Sequence, residues 1–498
     1  MGHLIEGFAL ALQPMTFILM LVSVIGGIII GALPGMTASM GIILMLPLTY
    51  RLDPQVALVM LAGMFCGSMY GGSLSAILLR TPGTPSASAT ILDGYPLTEQ
   101  GKSGKAISMA TIGSFAGGLF SSICLILIAP QLAKVALKFG PADYFALSLF
   151  GLTIMASTSG ENLVKGLLAG CFGLFISTVG IDGIVGVERF TFGIPQLMSG
   201  FSLLPVLIGV FALSQVFWEI ESKNKESHIL KQELKNTFPT FKEIKLVYKA
   251  IIIGSIIGTF IGVIPGTGGA IACFLAYNEA RRWSKHKDQF GKGALEGVAA
   301  PEAANNATTG GALVPMLTLG VPGDVVTAVM LGALMLIGVR PGPLLFVERA
   351  NIVYTLLAGM IIIQFMMLFV GLLSTKVSPH ILKVPYKILM PIVIVLCVVG
   401  AYTLQNNLFD VMIALIFGVV GYFMRKYNYP GAPMVLGIIL GPMAEDHLNR
   451  ALLISRNDWS VFVRSPISLG FLILSAVSIF LALYALKPSD NKQQTATR

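Results

Sequence analysis

Apolar runs long enough to cross a bilayer recur along the whole chain, and they are of two kinds. Eight are uninterrupted: residues 106–132, 141–158, 163–180, 201–218, 351–373, 388–404, 408–424 and 467–486. A spanning helix needs roughly 20 apolar residues, so each run predicts one. Four others, 15–50, 55–93, 250–280 and 294–338, are cut near the middle by a Pro-Gly pair. Proline removes a donor and clashes with the preceding turn, and glycine accepts the positive φ of a helix end. Each of these runs therefore predicts a discontinuous or re-entrant helix that stops at depth. Pro430 to Pro442 is flanked by Gly and Pro and reads as a shorter element. The expected fold is an all-α polytopic integral membrane protein with about 10–14 membrane elements.

The breaks repeat in order. GALPGMT (Gly31–Thr37) matches GVIPGT (Gly262–Thr267), and YGGSLSAILLRTPGTPSASAT (Tyr70–Thr90) matches GGALVPMLTLGVPGDVVTAVM (Gly310–Met330) without a gap. The second match sets Gly71 on Gly311, Pro82 on Pro322 and Gly83 on Gly323. Two pseudo-symmetric halves are expected: 1–218 with a repeat core at 15–93, and 250–486 with a core at 250–343. Between them lies a linker, 219–249, carrying Lys223, Lys225, Lys231, Lys235, Lys242, Lys245 and Lys249; a polar tail, 487–498, closes the chain. Such basic segments stay in the cytoplasm, as does the loop with Arg281, Arg282, Lys285, Lys287 and Lys292. Both can do so only if 250–280 turns back at Pro265-Gly266; the alternative is one discontinuous helix with a basic loop outside.

Polar positions concentrate in one broken run. Pro301 to Gly323 reads PEAANNATTGGALVPMLTLGVPG and carries Glu302, Asn305, Asn306, Thr308, Thr309 and Thr318. Polar residues and non-helical backbone at membrane depth are tolerated where they line a cavity. A broken helix also offers an anion its unpaired N–H groups and the positive end of its dipole. The expected substrate-binding residues are Pro34, Gly35, Thr37, Pro82, Gly83, Thr84, Pro265, Gly266, Thr267, Gly268, Asn305, Asn306, Pro322 and Gly323. Asp324, Glu302 and Thr318 are candidates for coupling to a cation, with backbone carbonyls near the breaks as further ligands for Na+. Glu302, Asn305 and Asn306, at i, i+3 and i+4, share one helical face. Glu302 reads equally as a first-turn residue beside Pro301, and Asp324 as a helix cap. Arg80 reads as a partner for a substrate carboxylate, as a side chain that snorkels, or as a partner for Asp93.

Composition narrows the class. The 498 residues are 55% hydrophobic and 11% charged, where soluble domains carry about 25% charged residues. The net charge of +9 comes from Lys and Arg in short loops beside apolar runs, unlike a nucleic-acid surface. Cys66, Cys124, Cys171, Cys273 and Cys397 lie in apolar stretches and read as small buried hydrophobes. With the histidines dispersed as well, no metal site is expected, and no cofactor beyond a co-transported Na+ or H+. The start, MGHLIEGFALALQPMTF, lacks a basic n-region, so synthesis straight into an inner, plasma-type membrane is expected. Gln100-Gly101-Lys102-Ser103 ends like a phosphate-binding loop, but Pro96 stands where the first glycine belongs. No nucleophile is paired with a base at depth, so no enzyme is expected.

These residues carry a family resemblance. The blocks are GALPGMTASMGIILMLPLTY, YGGSLSAILLRTPGTPSASATILDGYPL, GVIPGTGGAIACFLAYNEARR, FGKGALEGVAAPEAANNATTGGALVPMLTLGVPG, GVRPGPLLF and MAEDHLNRALLISRNDWSVFVRSPI. Through them the chain, from residue 15 to 486, resembles the large membrane subunit of the tripartite tricarboxylate transporters, the TctA-type permeases. The resemblance implies a secondary transporter for small di- or tricarboxylate-like anions, working by alternating access on a Na+ or H+ gradient rather than ATP. It implies two partners, a small membrane subunit and an extracytoplasmic solute-binding protein. It places the family's glycine-proline segments on Gly31–Thr37, Thr81–Thr84, Gly262–Gly269 and Leu319–Gly323. Met36-Thr37-Ala38-Ser39 departs from the family pattern, which is closer to Leu-Gly-Pro there, and Asp324 stands where a small neutral residue is usual. The alternatives are a channel built from re-entrant hairpins or a cation-coupled symporter without a binding protein.

Overall fold

The computed structural model describes residues 2–49, 51–157, 163–184, 186–221, 238–266, 268–382 and 386–485. Thr267, most of the basic linker and the polar tail lie outside them. In chain order the helices are α1 (Gly2–Ala11), α2 (Pro14–Ala32), α3 (Ala38–Thr49), α4 (Pro54–Leu79), α5 (Ile91–Glu99), α6 (Ser103–Ala136), α7 (Pro141–Ser157) and α8 (Leu163–Ser177). A hairpin of β1 (Gly180–Ile181) and β2 (Glu188–Arg189) follows. Next come α9 (Leu203–Leu207) and α10 (Ser214–Glu221), joined through a π-helical turn, then α11 (Phe241–Val263), α12 (Gly268–Trp283), α13 (Leu295–Leu319) and α14 (Val325–Leu336). The chain ends with α15 (Leu345–Glu348), α16 (Ala350–Ile381), α17 (Tyr386–Gln405), α18 (Leu408–Lys426), α19 (Gly431–Ile454), α20 (Val461–Arg464) and α21 (Pro466–Ala485).

All four Pro-Gly pairs fall between helices, as expected. The short element expected at Pro430–Pro442 is instead a 24-residue helix, α19, which runs through Pro442. Among the described residues seven helices are long and apolar enough to cross a membrane: α2, α4, α6, the α9–α10 run, α11, α16 and α18. The chain is thus an all-α polytopic membrane protein.

Two compact units emerge, one of Met1–Lys138 with Ser202–Phe423, the other of Phe139–Phe201 with Met424–Arg498. Both sequence halves contribute to both units. At the centre of the first unit are α4 and α13, buried without interruption over Ala57–Leu78 and Glu296–Thr318. A helix buried on every side belongs to the core.

Small residues set how closely these helices pack. A Cβ built on Gly27 or Gly31 of α2 would lie 2.6 Å from the Met64 carbonyl oxygen or 2.1 Å from that of Ser68 on α4. On α11, Gly258 and Gly262 would meet the carbonyl oxygens of Ala304 at 2.3 Å and Thr308 at 2.8 Å on α13. Both contact series advance together along the two chains, so α2 runs parallel to α4, and α11 to α13. The chain must therefore turn back between them, which α3 and α12 accomplish. α12 packs along α11 and α13 through Ala250, Cys273, Ala276, Tyr277, Ala300 and Ala304. The register also recurs: Gly71 would meet the Ile28 oxygen at 2.4 Å, and its counterpart Gly311 the Thr259 oxygen at 2.6 Å. α4 and α13 cross in opposite directions, Cys66 meeting Thr309 and Met69 meeting Asn305.

In the second unit α19 packs on α7 and α8, and α21 on α7. Gly173 would meet the Met434 oxygen at 1.9 Å. Arg189 of β2 bridges Glu445 at 2.5 and 3.1 Å and Asp182 at 3.3 Å. Two cysteine expectations need correcting: Cys171 is exposed and Cys124 half-exposed, since their helix faces point away from the packed core.

Candidate functional site

The breaks lie in the first unit and share local geometry in matched pairs. Gly35 (φ 84) and Gly266 (φ 78) take the left-handed turn directly after a proline. Arg80 (φ 57) and Gly320 (φ 70) end α4 and α13 in the left-handed region, at positions the sequence match sets opposite one another. Arg80 holds this conformation without being glycine, and its guanidinium stacks 5.6 Å from the Tyr95 ring. It does not pair with Asp93. That carboxylate is taken by the backbone N–H groups of Gly293 and Ala294, both at 2.8 Å, and by the Tyr277 hydroxyl at 2.9 Å.

Three contacts gather the breaks. A Cβ on Gly83 would lie 2.0 Å from the Gly31 carbonyl oxygen, joining the second break to the end of α2. The Gly266 N–H donates to the Gly323 carbonyl at 2.7 Å, joining the third to the fourth. A Cβ on Gly269 would sit 3.2 Å from Ser86 and 3.4 Å from the Thr308 hydroxyl, linking the third break to the second. The segments that follow the breaks pair crosswise: α3 with α14, and the 3-10 turn at Pro85–Ser88 with α12. Pro34, Pro82, Pro265, Pro322 and Gly268 belong to the turns so gathered.

The hydroxyls nearby are engaged locally. Thr37 Oγ1 lies 2.9 Å from Ser39 Oγ and accepts from Met40 N, while Thr84 Oγ1 lies 3.3 Å from Ser86 Oγ. Thr318 donates to the Val314 carbonyl of its own helix. Asp324 caps α14, accepting from Thr327 N at 2.8 Å while Thr327 Oγ1 accepts from Asp324 N. A Cβ on Gly35 would meet Glu219 Oε1 at 2.6 Å and Gln215 Nε2 at 2.8 Å. That carboxylate puts negative charge beside the first break, so the four breaks are not equivalent to an anion.

The polar face of α13 is fully buried. Glu302 accepts from Thr90 Oγ1 at 2.5 Å and from Ser114 Oγ at 3.0 Å. Asn305 donates through Nδ2 to the Met69 carbonyl at 2.9 Å, and its Oδ1 has no protein partner among the described residues. Asn306 has none for either amide atom. A buried polar group left unpaired costs about 1–3 kcal/mol, which a ligand supplying the missing partners would recover. Beside this face, Gln364 Nε2 reaches Cys66 Sγ at 3.4 Å, and the Tyr70 hydroxyl meets Thr111, Ser374 and the Gly371 carbonyl.

Several of these partners escape a sequence reading. Gln364 carried a usable signal, the one amide in the interior of the apolar run 351–373, which starts at Asn351. Ser114, Thr90 and Tyr70 carried none, since isolated hydroxyls are ordinary in membrane helices.

The tripartite tricarboxylate transporter TctA family matches residues 17–436. An uncharacterized 52.8 kDa protein in the TAR-I ttuC' 3'region of Agrobacterium vitis is 36% identical over 482 residues, 97% of this chain and 96% of that one. An uncharacterized protein in the TAR-II ttuC' 3'region of the same organism is 38% identical over 226 residues, 45% of this chain and 93% of its own length. No solved structure matches.

Proposed function

This chain belongs to the tripartite tricarboxylate transporter TctA family, and from that premise we propose that it is a permease importing small di- or tricarboxylate-like anions on a cation gradient. It works in an inner, plasma-type membrane beside a small membrane subunit, and an extracytoplasmic binding protein delivers its solute.

One observation carries this reading: the crosswise gathering of the breaks, with Thr308 of α13 at the third break and the unpaired amide of Asn306 two residues away on the same helix. The helices that start after the breaks, α3, α12 and α14, have first-turn N–H groups outside the intrahelical ladder, and the amides add donors and acceptors at fixed positions. A carboxylate is recognised by such donors without a buried cationic side chain. Interrupted segments at matched positions of two repeats are also the usual surroundings of a transporter's binding site. Exchange of the crosswise partners (α3 with α14, the 3-10 turn with α12) would open the site to each side in turn.

The test is uptake of citrate, as probe, by proteoliposomes holding the full complex with its binding protein. Accumulation is expected to follow an imposed ion gradient and ignore ATP, and Asn306→Ala is expected to lower it about 10–100-fold, one or two hydrogen bonds to a charged group. Uptake that needs ATP and persists with all ion gradients collapsed overturns the reading. Normal uptake by Asn306→Ala removes that residue from the site.

A further inference from the structure

Two carboxylates of the first unit have no exposed surface, Asp93 and Glu302, and they are held in different ways. Asp93 accepts from two backbone N–H groups, which can only donate and so fix it as an acceptor. Glu302 has two hydroxyl neighbours, Thr90 Oγ1 at 2.5 Å and Ser114 Oγ at 3.0 Å, and a third neighbour in the Asn305 side-chain amide. A hydroxyl donates to a carboxylate and, after rotating, accepts from a carboxylic acid. Glu302 is therefore furnished with partners for both protonation states. Among the described residues no Lys, Arg or His forms an ion pair with it, and no group of three or more His, Cys, Asp or Glu is arranged for a metal ion. The titratable groups facing it are the Tyr70 phenol from α4 and the Cys273 thiol from α12; Asp93 of α5 is engaged with Tyr277 and the start of α13, and α6 presents Ser114.

Glu302 also shares its face of α13 with Asn305 and Asn306, one turn on. Groups at i and i+4 stand about 5–6 Å apart. We propose that Glu302 carries the coupling proton, and that an anionic solute is held at Asn305 and Asn306 only while Glu302 is protonated. This rests on the carboxylate-transport reading above and names its driving ion. The proton adds to a Glu302 carboxylate oxygen from water on the loading side and leaves to water on the other, forming no bond to the solute. Two negative charges about 6 Å apart at an effective dielectric of about 20 disfavour one another by roughly a hundredfold. That factor is the coupling.

The experiment has two arms. Infrared difference spectra of the purified chain against Glu302→Gln are expected to show a carboxylic-acid carbonyl band, lost in the variant, at a pH where surface carboxylates are already ionised. Absence of that band overturns the proposal. In proteoliposomes of the full complex, Glu302→Gln is expected to lose citrate accumulation driven by a pH gradient while keeping citrate exchange between the two sides. Its citrate affinity should also lose the roughly hundredfold pH dependence of the wild type. Accumulation on a pH gradient in the variant overturns the proposal too. Wild-type protein that shows the band but moves no citrate under any gradient overturns the transport reading and leaves the protonation site standing.

Discussion

Asp93 does for α13 what a capping side chain ordinarily does from within a helix, but from 200 residues away in sequence. Its carboxylate takes the Gly293 and Ala294 N–H groups where the helix begins, adding negative charge at the positive end of the dipole. Asp93→Ala leaves buried donors unpaired and should lower stability by about 2–4 kcal/mol, read as a fall in Tm of the detergent-solubilised protein. Asp93→Asn, which keeps an acceptor, should lose less. An unchanged Tm in the Ala variant would show that the contact holds nothing. At this scale the sequence was legible only where partners are close along the chain. The Asp324 cap could be read because Thr327 is three residues on. The partners of Asp93, Glu302 and Arg80 could not, because their proximity depends on how distant helices cross.

The breaks were the most legible elements, since Pro and Gly act on the backbone where they stand. Pro442 was the exception. It sits inside α19, where neighbouring helices and local adjustment can satisfy the freed carbonyl. The i, i+4 glycine pairs Gly27–Gly31, Gly113–Gly117 and Gly258–Gly262 were present in the sequence as a packing signal. Only the structure shows which helix each pair meets. Gly117 is the tightest of those on α6, its Cβ position lying 1.9 Å from the Ala303 oxygen of α13. Gly117→Val should abolish folded, monodisperse protein, overpacking of this kind costing about 1–3 kcal/mol or more. Gly470→Ala on α21, with nothing within 4 Å, should leave the yield unchanged. Size-exclusion profiles of the two variants decide the matter, and equal yields would contradict the close packing of α6 on α13.

For the whole molecule, the parallel run of α11 and α13 requires the intervening chain to return, so both ends of the α11–α12 hairpin should lie on one side of the membrane. Cysteines placed at the exposed Lys242 and Lys287, in a background lacking the native five, should react with an impermeant maleimide from the same face. Labelling from opposite faces would refute the hairpin. The basic loops made this turn legible beforehand. The division into two compact units was not, because each unit draws on both halves of the chain. The crosswise partnering of α3 with α14 has a consequence for biosynthesis. The ribosome finishes α3 about 280 residues before α14, an interval of roughly 15–60 s at typical elongation rates of about 5–20 residues per second. Through that interval the first half's glycine turns and buried polar groups stand in the nascent membrane without the surface that later covers them. A chain truncated before α14 should for this reason behave as a substrate for membrane quality control rather than as half a transporter.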